Sequence, residues 1–460
     1  MIQLSGYDGL IEKIYSYNQE HVFEFWDTLS EEQKLELLND LKDVDFDQCK
    51  EQFKLLKHEI AADTDFSPAS YIKSPSTEAE KTDFENAKQE GIRHIKAGKT
   101  CAFVVAGGQG SRLGYDGPKG VFAVSPVKNK SLFQIHTEKI LKYSRKYDVT
   151  IPFFIMTSQL NHSMTVEHFE ENNYFGMNRN DVIMFPQNMI PSMDLEGKLI
   201  LSDKNHIFKN PDGHGGSLIA LNTSGAIKEM EKRGIETISY FQIDNPALKI
   251  IDPVFIGFHV QNKAEVSNKA LIKADPLEKV GNFVKFANGT TGVIEYSDLP
   301  DEKAHEKNPD GTIKYAAGSI AIHLFERDFV KKVTSGKDIS LPFHIARKKI
   351  KKYSADGIKE IDGVKFEKFV FDALPLAGKT ITLETVREEE FAPVKNMSGV
   401  DSLESSRELM TNLHRSWLQK RNIAIPEKVR NIEISPLLAI EPEDIPSNLE
   451  IPDTENVYLE

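Results

Sequence analysis

Hydrophobic positions in the first sixty residues recur at helical spacing. Val22, Phe25, Trp26 and Leu29 share one face of a predicted helix, and Leu35, Leu38 and Leu41 continue the period as far as Lys42. Between these runs, Ser30 followed by Gln33 in SEEQ has the pattern of a capping box, which starts the second helix. The stretch DTDFSPASYIKSPSTEAEKTD is polar and carries Pro68 and Pro75, so it reads as an extended connection. A further helix is predicted from about Phe84 to Lys96, ended by Gly98.

From Thr100 the period changes. CAFVVA, IPFFIMTS, DVIMFPQ and TISYFQIDN are apolar runs of strand length, separated by amphipathic stretches such as SLFQIHTEKILKYSRKY. That alternation predicts an α/β sheet with crossover helices. Past about residue 385 the chain carries one amphipathic helix, SSRELMTNLHRSWLQKRN, and then NIEISPLLAIEPEDIPSNLEI, which reads as a strand-bearing appendage whose acidic last residues form a solvated tail. The expected organisation is an N-terminal helical domain and linker over residues 1–97, a central domain over 98–385 and a small C-terminal domain over 386–460.

Composition narrows the class. With 460 residues, 40% hydrophobic and 28% charged, the chain is a globular protein rather than a disordered one. No run approaches the roughly 20 apolar residues of a membrane span, and MIQLSGYDGLIEKIYS has no basic segment followed by an apolar one, so no membrane partner and a cytoplasmic address are expected. Cys49 and Cys101 are the two cysteines, far apart and without neighbours at metal-ligand spacing; they read as small buried hydrophobes. A net charge of −13 argues against nucleic-acid binding, whose affinity comes from neutralising many phosphates. A single nucleotide needs only two or three cations and some backbone amides, which an acidic protein can supply locally.

The segment FVVAGGQGSRLGYDGPKG, residues 103–120, is where such a ligand fits. A buried strand runs into glycines 107, 108, 110, 114, 117 and 120, which enclose Arg112 and Lys119. Glycines let the backbone approach a ligand so that N–H groups face phosphate oxygens, with Arg112 and Lys119 adding full charges. On glycines alone, a tight strand-to-helix turn is as good a reading. The P-loop pattern fails, because Lys119 lies between Pro118 and Gly120. The dinucleotide fingerprint fails as well, because Gly108, Gly110 and Gly114 are spaced one residue too long and IPFFIMTS ends without a ribose-binding acid.

The same residues resemble the eukaryotic-type UDP-sugar pyrophosphorylases, most closely the UDP-N-acetylglucosamine pyrophosphorylase branch. The signature L-A-G-G-x-G-[ST]-R-L-G followed by P-K-G is matched by VAGGQGSRLG and PKG. FWDTLSEEQ, SLFQIHTEKIL, PDGHGGSLIAL, DNPALKIIDPVFIGF, EYSDL, FEKFVFDAL and VREEEFAPVKN resemble further blocks in family order, from about residue 15 to about residue 440. The resemblance implies a Rossmann-like, GT-A-like nucleotidyltransferase core. It implies uridylyl transfer from UTP to a sugar 1-phosphate, with Mg2+ as cofactor. It leaves the chain a monomer or weak homo-oligomer. An inert relative that binds nucleotide or sugar phosphate for regulation is the alternative.

Residue by residue, the resemblance assigns Val105, Ala106, Gly107 and Gly108 to the nucleotide, and Arg112, Lys119 and Lys395 to the phosphates. Asp244, at the end of SYFQID, matches the metal-associated acid; by itself a strand-end Asp reads as a turn or cap. Gln187 matches a glutamine on the uracil edge, and Gly213 and His214 in PDGHGGS match nucleotide-contacting positions, although relatives usually carry Asn where His214 stands. Gly281, Glu295, Tyr296, Ser319 and Phe369 match the sugar pocket. There the family block N-A-G-N-I-A-N appears as AAGSIAI, with Ala316, Ser319 and Ile322 in place of amides. Phe369 and Phe371 alternate with Val370 as on a strand, Phe371 reading as core.

Overall fold

The computed structural model describes residues 1–57, 65–335 and 341–460. Its contacts divide the chain into two compact units: Met1–Asp63 with Gln187–Gly216 and Leu341–Val370, and Thr64–Pro186 with Ser217–Ser340 and Phe371–Glu460.

In the smaller unit, helices Asp8–Ser16, Glu31–Lys42 and Phe46–Lys57 supply one side of a core that the long hairpin His344–Ser354 and Gly357–Glu367 completes through Val364 and Phe366. The capping box at Ser30 forms in both directions with Gln33. The run around Val22 to Leu29 buries as expected but is built from two 3-10 turns, Glu20–Phe23 and Trp26–Thr28, because β-branched and aromatic residues crowd a regular α-helix. Leu35 is exposed, and Leu37 takes its expected place beside Leu38 and Leu41. Val370 begins a 3-10 helix, Val370–Leu376, so Phe369 and Phe371 do not lie on a strand; Phe371 is buried as predicted. Pro375, which cannot donate to a sheet ladder, marks the difference.

A ten-stranded mixed sheet carries the larger unit. Thr237–Gln242, Thr100–Val105, Phe153–Thr157 and Val182–Pro186 lie side by side in that order, all parallel. These are the four apolar runs of the sequence, and their two-sided burial under helices such as Leu132–Tyr147 explains their lack of alternation. The other half is partly antiparallel: Ala317–Glu326 runs against Thr237–Gln242 and against Val266–Ile272. Strand direction follows from the connection, and here the chain returns through the short pair Gly281–Phe286 and Thr291–Ile294 and the one-turn helix Asp301–Ala304 instead of a long crossover helix.

Three boundaries differ from expectation. The polar connection contains a short edge strand, Phe66–Pro68, anchored by buried Phe66; a proline is tolerated there because an edge strand has spare N–H positions. The following helix starts at Glu78, capped by Thr77 and Glu80, a second capping box upstream of its apolar stripe. The terminal residues are not a tail: Asn456–Leu459 pairs in parallel with Asn431–Ile434 and buries Val457 and Leu459 while Glu460 stays outside.

Helices Glu78–Lys96 and Pro253–Asn262 touch backbone to backbone. A Cβ on Gly91 would overlap the carbonyl oxygen of Pro253, and one on Gly257 the carbonyl oxygen of Ala87. Packing this close leaves no room for a methyl group. Gly257→Ala is therefore expected to lower stability by about 2 kcal/mol, read as a lower urea midpoint at unchanged m-value; an unchanged midpoint would show that the helices separate freely.

Candidate functional site

The glycine turn follows directly from the Thr100–Val105 strand and is tied to itself. Gly110 N–H donates to the Gly117 carbonyl at 2.9 Å and Lys119 N–H to that of Gly108 at 3.1 Å. Gly114 ends the 3-10 turn Ser111–Leu113 with φ +68°, a conformation that favours glycine. Asn161 holds the turn from outside: its Nδ2 donates to the carbonyls of Ala106 at 3.0 Å and Gly108 at 3.3 Å, while Oδ1 accepts from Ser158 N–H. With carbonyls engaged in this way, the N–H groups of Gly107, Gly108 and Gln109 have no acceptor among the described residues. Arg112 is exposed and makes no ion pair among the described residues.

Asp244 lies just beyond the neighbouring parallel strand, Thr237–Gln242. Ile243 N–H donates to the Val105 carbonyl at 3.2 Å, and His136 Nε2 donates to the Ile243 carbonyl at 3.1 Å. This ring is neutral, since burial pushes it down to about 3. Lys119 Nζ reaches Asp244 Oδ2 at 3.3 Å, both side chains largely enclosed. The chain passes from Thr100–Val105 to Phe153–Thr157 and Val182–Pro186 on one side and later returns to the other side with Thr237–Gln242. The glycine turn and Asp244 thus flank the switch point of the parallel strands, at their carboxyl ends, where open α/β sheets bind ligands.

Lys395 is drawn to the same place by an amide lacing. Asn245 Nδ2 donates to the Glu390 carbonyl at 2.6 Å, its Oδ1 accepts from Ala392 N–H at 3.0 Å, and Val394 N–H donates to the Asp244 carbonyl at 2.9 Å. Beneath them, fully buried Lys269 bonds Glu390 Oε1 at 2.6 Å and Asp252 at 2.7 Å. Lys395 Nζ lies 3.9 Å from Asp401 Oδ2. Burial, together with the nearby charges of Asp244 and Glu278, raises the Asp401 carboxyl above the usual carboxylate range. Residues 119, 244 and 395, scattered in sequence, are therefore neighbours.

Gly281 and Ser319 are register partners in adjacent strands, and a Cβ on Gly281 would stand 3.8 Å from Glu295 Oε1. Near Ser319 the Ala317–Glu326 strand is bulged, with Ala321 at φ +55°, the kind of distortion that re-aims side chains. Tyr296 follows on an exposed loop, and Ile322 faces the core.

Gln187, Gly213, His214 and Phe369 belong to the smaller unit. Gln187 is 5% exposed, not a free loop amide; its Nε2 donates to Asp212 Oδ1 at 2.7 Å and to the Gly213 carbonyl at 2.8 Å. His214 Nδ1 accepts from Val370 N–H at 3.1 Å, so the ring proton sits on Nε2, and burial pushes the ring down to about 4. Its ring stacks on Phe369 with centroids 5.2 Å apart, and His344 stacks on Phe369 at 4.2 Å. Asp212, Asn161 and Asn245 were not legible as functional residues. An Asn before a helix reads as a cap, and a lone acid among glycines reads as a turn.

A glycine turn with unused amides, beside a lysine–aspartate pair at a sheet switch point, belongs to a nucleotide-handling enzyme. The comparisons refine this class. The chain belongs to the UTP–glucose-1-phosphate uridylyltransferase family, whose model matches residues 50–445, and it is a nucleotidyltransferase of that family. It is similar to UDP-N-acetylglucosamine diphosphorylase 2 of Arabidopsis thaliana, 34% identical over 96% of this chain and 91% of that protein. It is also similar to the UDP-N-acetylglucosamine pyrophosphorylase of Saccharomyces cerevisiae, 34% identical over 93% and 94%. Among solved structures, the uridine diphosphate N-acetylglucosamine pyrophosphorylase of Trypanosoma brucei in complex with inhibitor matches with TM-score 0.82 and 27% identity, over 96% of this chain and 95% of that one.

His136 and His214 are neutral in the fold, whereas the unfolded chain protonates histidine near 6.5. The unfolded state takes up more protons in that window, so this stability is present above pH 6.5 and is lost as pH falls towards 4. Asp212, raised by burial to about 6, acts in the opposite sense, since its folded form protonates first. His414, pushed down to about 4 by burial, and His21, His94, His162 and His168, lowered by burial as well, act with these two rings, while Asp401, raised by burial, acts with Asp212. With the histidines in the majority, the urea midpoint is expected to be lower at pH 5 than at pH 7; a rise would mean that the rings accept protons without unfolding.

Proposed function

We propose that this chain transfers the uridylyl group of UTP to a sugar 1-phosphate, either N-acetylglucosamine 1-phosphate or a hexose 1-phosphate, releasing pyrophosphate. The observation that carries the reading is the set of unengaged amides at Gly107 to Gln109 beside the Lys119–Asp244 pair. The parallel strands and their switch point support a Rossmann-like, GT-A-like nucleotidyltransferase core.

In this mechanism a phosphate oxygen of the sugar 1-phosphate attacks the α-phosphorus of UTP in line and pyrophosphate leaves. The attacking oxygen is already anionic at neutral pH, so no general base is required and catalysis rests on positioning and charge neutralisation. The amides of the glycine turn bind the phosphates, while Lys119, Arg112 and Lys395 oppose the charge that builds on the leaving group. Gln187, Gly213 and His214 bind the base and ribose, His214 as a neutral Nε2–H donor. Gly281, Glu295, Tyr296, Ser319 and Phe369 are assigned to the sugar; the serine and the buried Ile322 offer fewer amide donors than the family block does.

Among the described residues, no group of three or more His, Cys, Asp or Glu side chains could hold a metal alone. One enclosed carboxylate, Asp244, fits a hard cation that takes its remaining ligands from phosphates and water. Mg2+ would be held by Asp244 and would supply charge neutralisation at the phosphates.

Purified protein with UTP, Mg2+ and a panel of sugar 1-phosphates should release pyrophosphate. Lys119→Ala and Arg112→Ala should each lower kcat by roughly 100-fold. Near-wild-type rates in both variants would overturn the assignment of these cations.

A further inference from the structure

The side-chain amide of Gln187 is fixed in one orientation. Its Nε2 gives one hydrogen to Asp212 Oδ1 at 2.7 Å and the other to the Gly213 carbonyl at 2.8 Å, which uses both. Turning the amide over would set Oε1 against a carboxylate and a carbonyl, three acceptors with no donor among them. Oε1 has no partner among the described residues. The amide therefore has an acceptor, and nothing else, to offer a ligand.

Asp212 is itself held tightly. It is 3% exposed, and its carbonyl accepts from Lys368 N–H at 2.7 Å. The following glycines leave the segment no alternative path. A Cβ on Gly213 would overlap the Lys368 carbonyl, one on Gly215 would meet the Phe369 backbone at 2.6 Å, and one on Gly216 would overlap the Asp212 carboxylate. Burial pushes that carboxyl up to about 6, so at neutral pH it is still an ionised acceptor and keeps the amide nitrogen turned towards it.

We infer that Asp212 is a positioning residue that makes Gln187 an acceptor-only reader of the base, selecting a pyrimidine that donates at N3, as uracil does, over one that accepts there, as cytosine does. The inference rests on the proposed reading of Gln187 as a base-contacting residue. A fixed acceptor gains a hydrogen bond from uracil N3–H and meets a second lone pair at cytosine N3. Sites built on one fixed polar partner discriminate well because the wrong ligand leaves a buried group unpaired.

The test measures pyrophosphate release from the full-length protein with Mg2+, a sugar 1-phosphate and either UTP or CTP. Wild type should prefer UTP. In Asp212→Ala the amide is held by Gly213 alone, so the kcat/KM ratio of UTP to CTP should shrink by roughly tenfold, with the loss falling on KM for UTP more than on kcat. Asp212→Asn, whose Oδ1 can still accept, should retain most of the wild-type ratio, which a merely structural role of the charge would not produce. If Asp212→Ala does not fold, Asp212→Ser, too short to reach the amide, takes its place with the same expectation. An unchanged ratio in the folded Ala or Ser variant overturns the inference and leaves the uridylyltransferase reading standing. Absence of turnover by wild type with either nucleotide overturns that reading, and this inference with it.

Discussion

Lys119 and Asp244 stand 125 residues apart in the chain and 3.3 Å apart in the fold. That approach depends on one constraint, the parallel pairing of Thr237–Gln242 with Thr100–Val105, which sets the ends of the two strands side by side. The other side chains described around the glycine turn of the larger unit hang from it. Asn245 follows Asp244 and laces in the segment that carries Lys395, while the Val105 carbonyl ties the same turn to the glycine turn. Each charge of the pair is largely enclosed, and removing one partner would leave the other uncompensated, a cost of about 3–5 kcal/mol for a fully buried pair and less here. A pair of this kind organises a charged site more than it stabilises the fold.

Neutral groups do most of the positioning. Asn161 takes the carbonyls of the glycine turn, Asn245 joins two loops with both ends of its amide, and His136 in its neutral form holds the carbonyl of Ile243. Such hydrogen bonds contribute only about 1 kcal/mol each, but leaving any of these buried groups unmade costs more than forming it gains. The site is thereby held in one arrangement without adding further charge beside the phosphates. In the smaller unit the neutral His214 ring follows the same logic, whereas Asp212 holds the Gln187 amide as an ionised acceptor.

Legibility varied with how local the cause was. The capping box at Ser30 and the four apolar strands follow from short-range rules, and so they could be read directly. The Thr77 box was equally readable but lies ahead of the apolar stripe that marked the helix. The strand at Asn456–Leu459 was hidden because four residues, two of them inward-facing, are too few for a period to show against an acidic background. The 3-10 turn after Phe369 mimicked a strand because alternating aromatics look alike in both.

The sequence by itself determined the glycine turn, the residues at its cations, the parallel half of the sheet and the family, because each is written in consecutive residues. Only the tertiary structure decided that Lys119, Asp244 and Lys395 are neighbours, that Ala317–Glu326 runs antiparallel, and that Gln187 is held by Asp212. The reason is physical: local dihedral and capping preferences act within a few residues, whereas strand order, burial and the orientation of an amide are settled by partners that arrive from far along the chain.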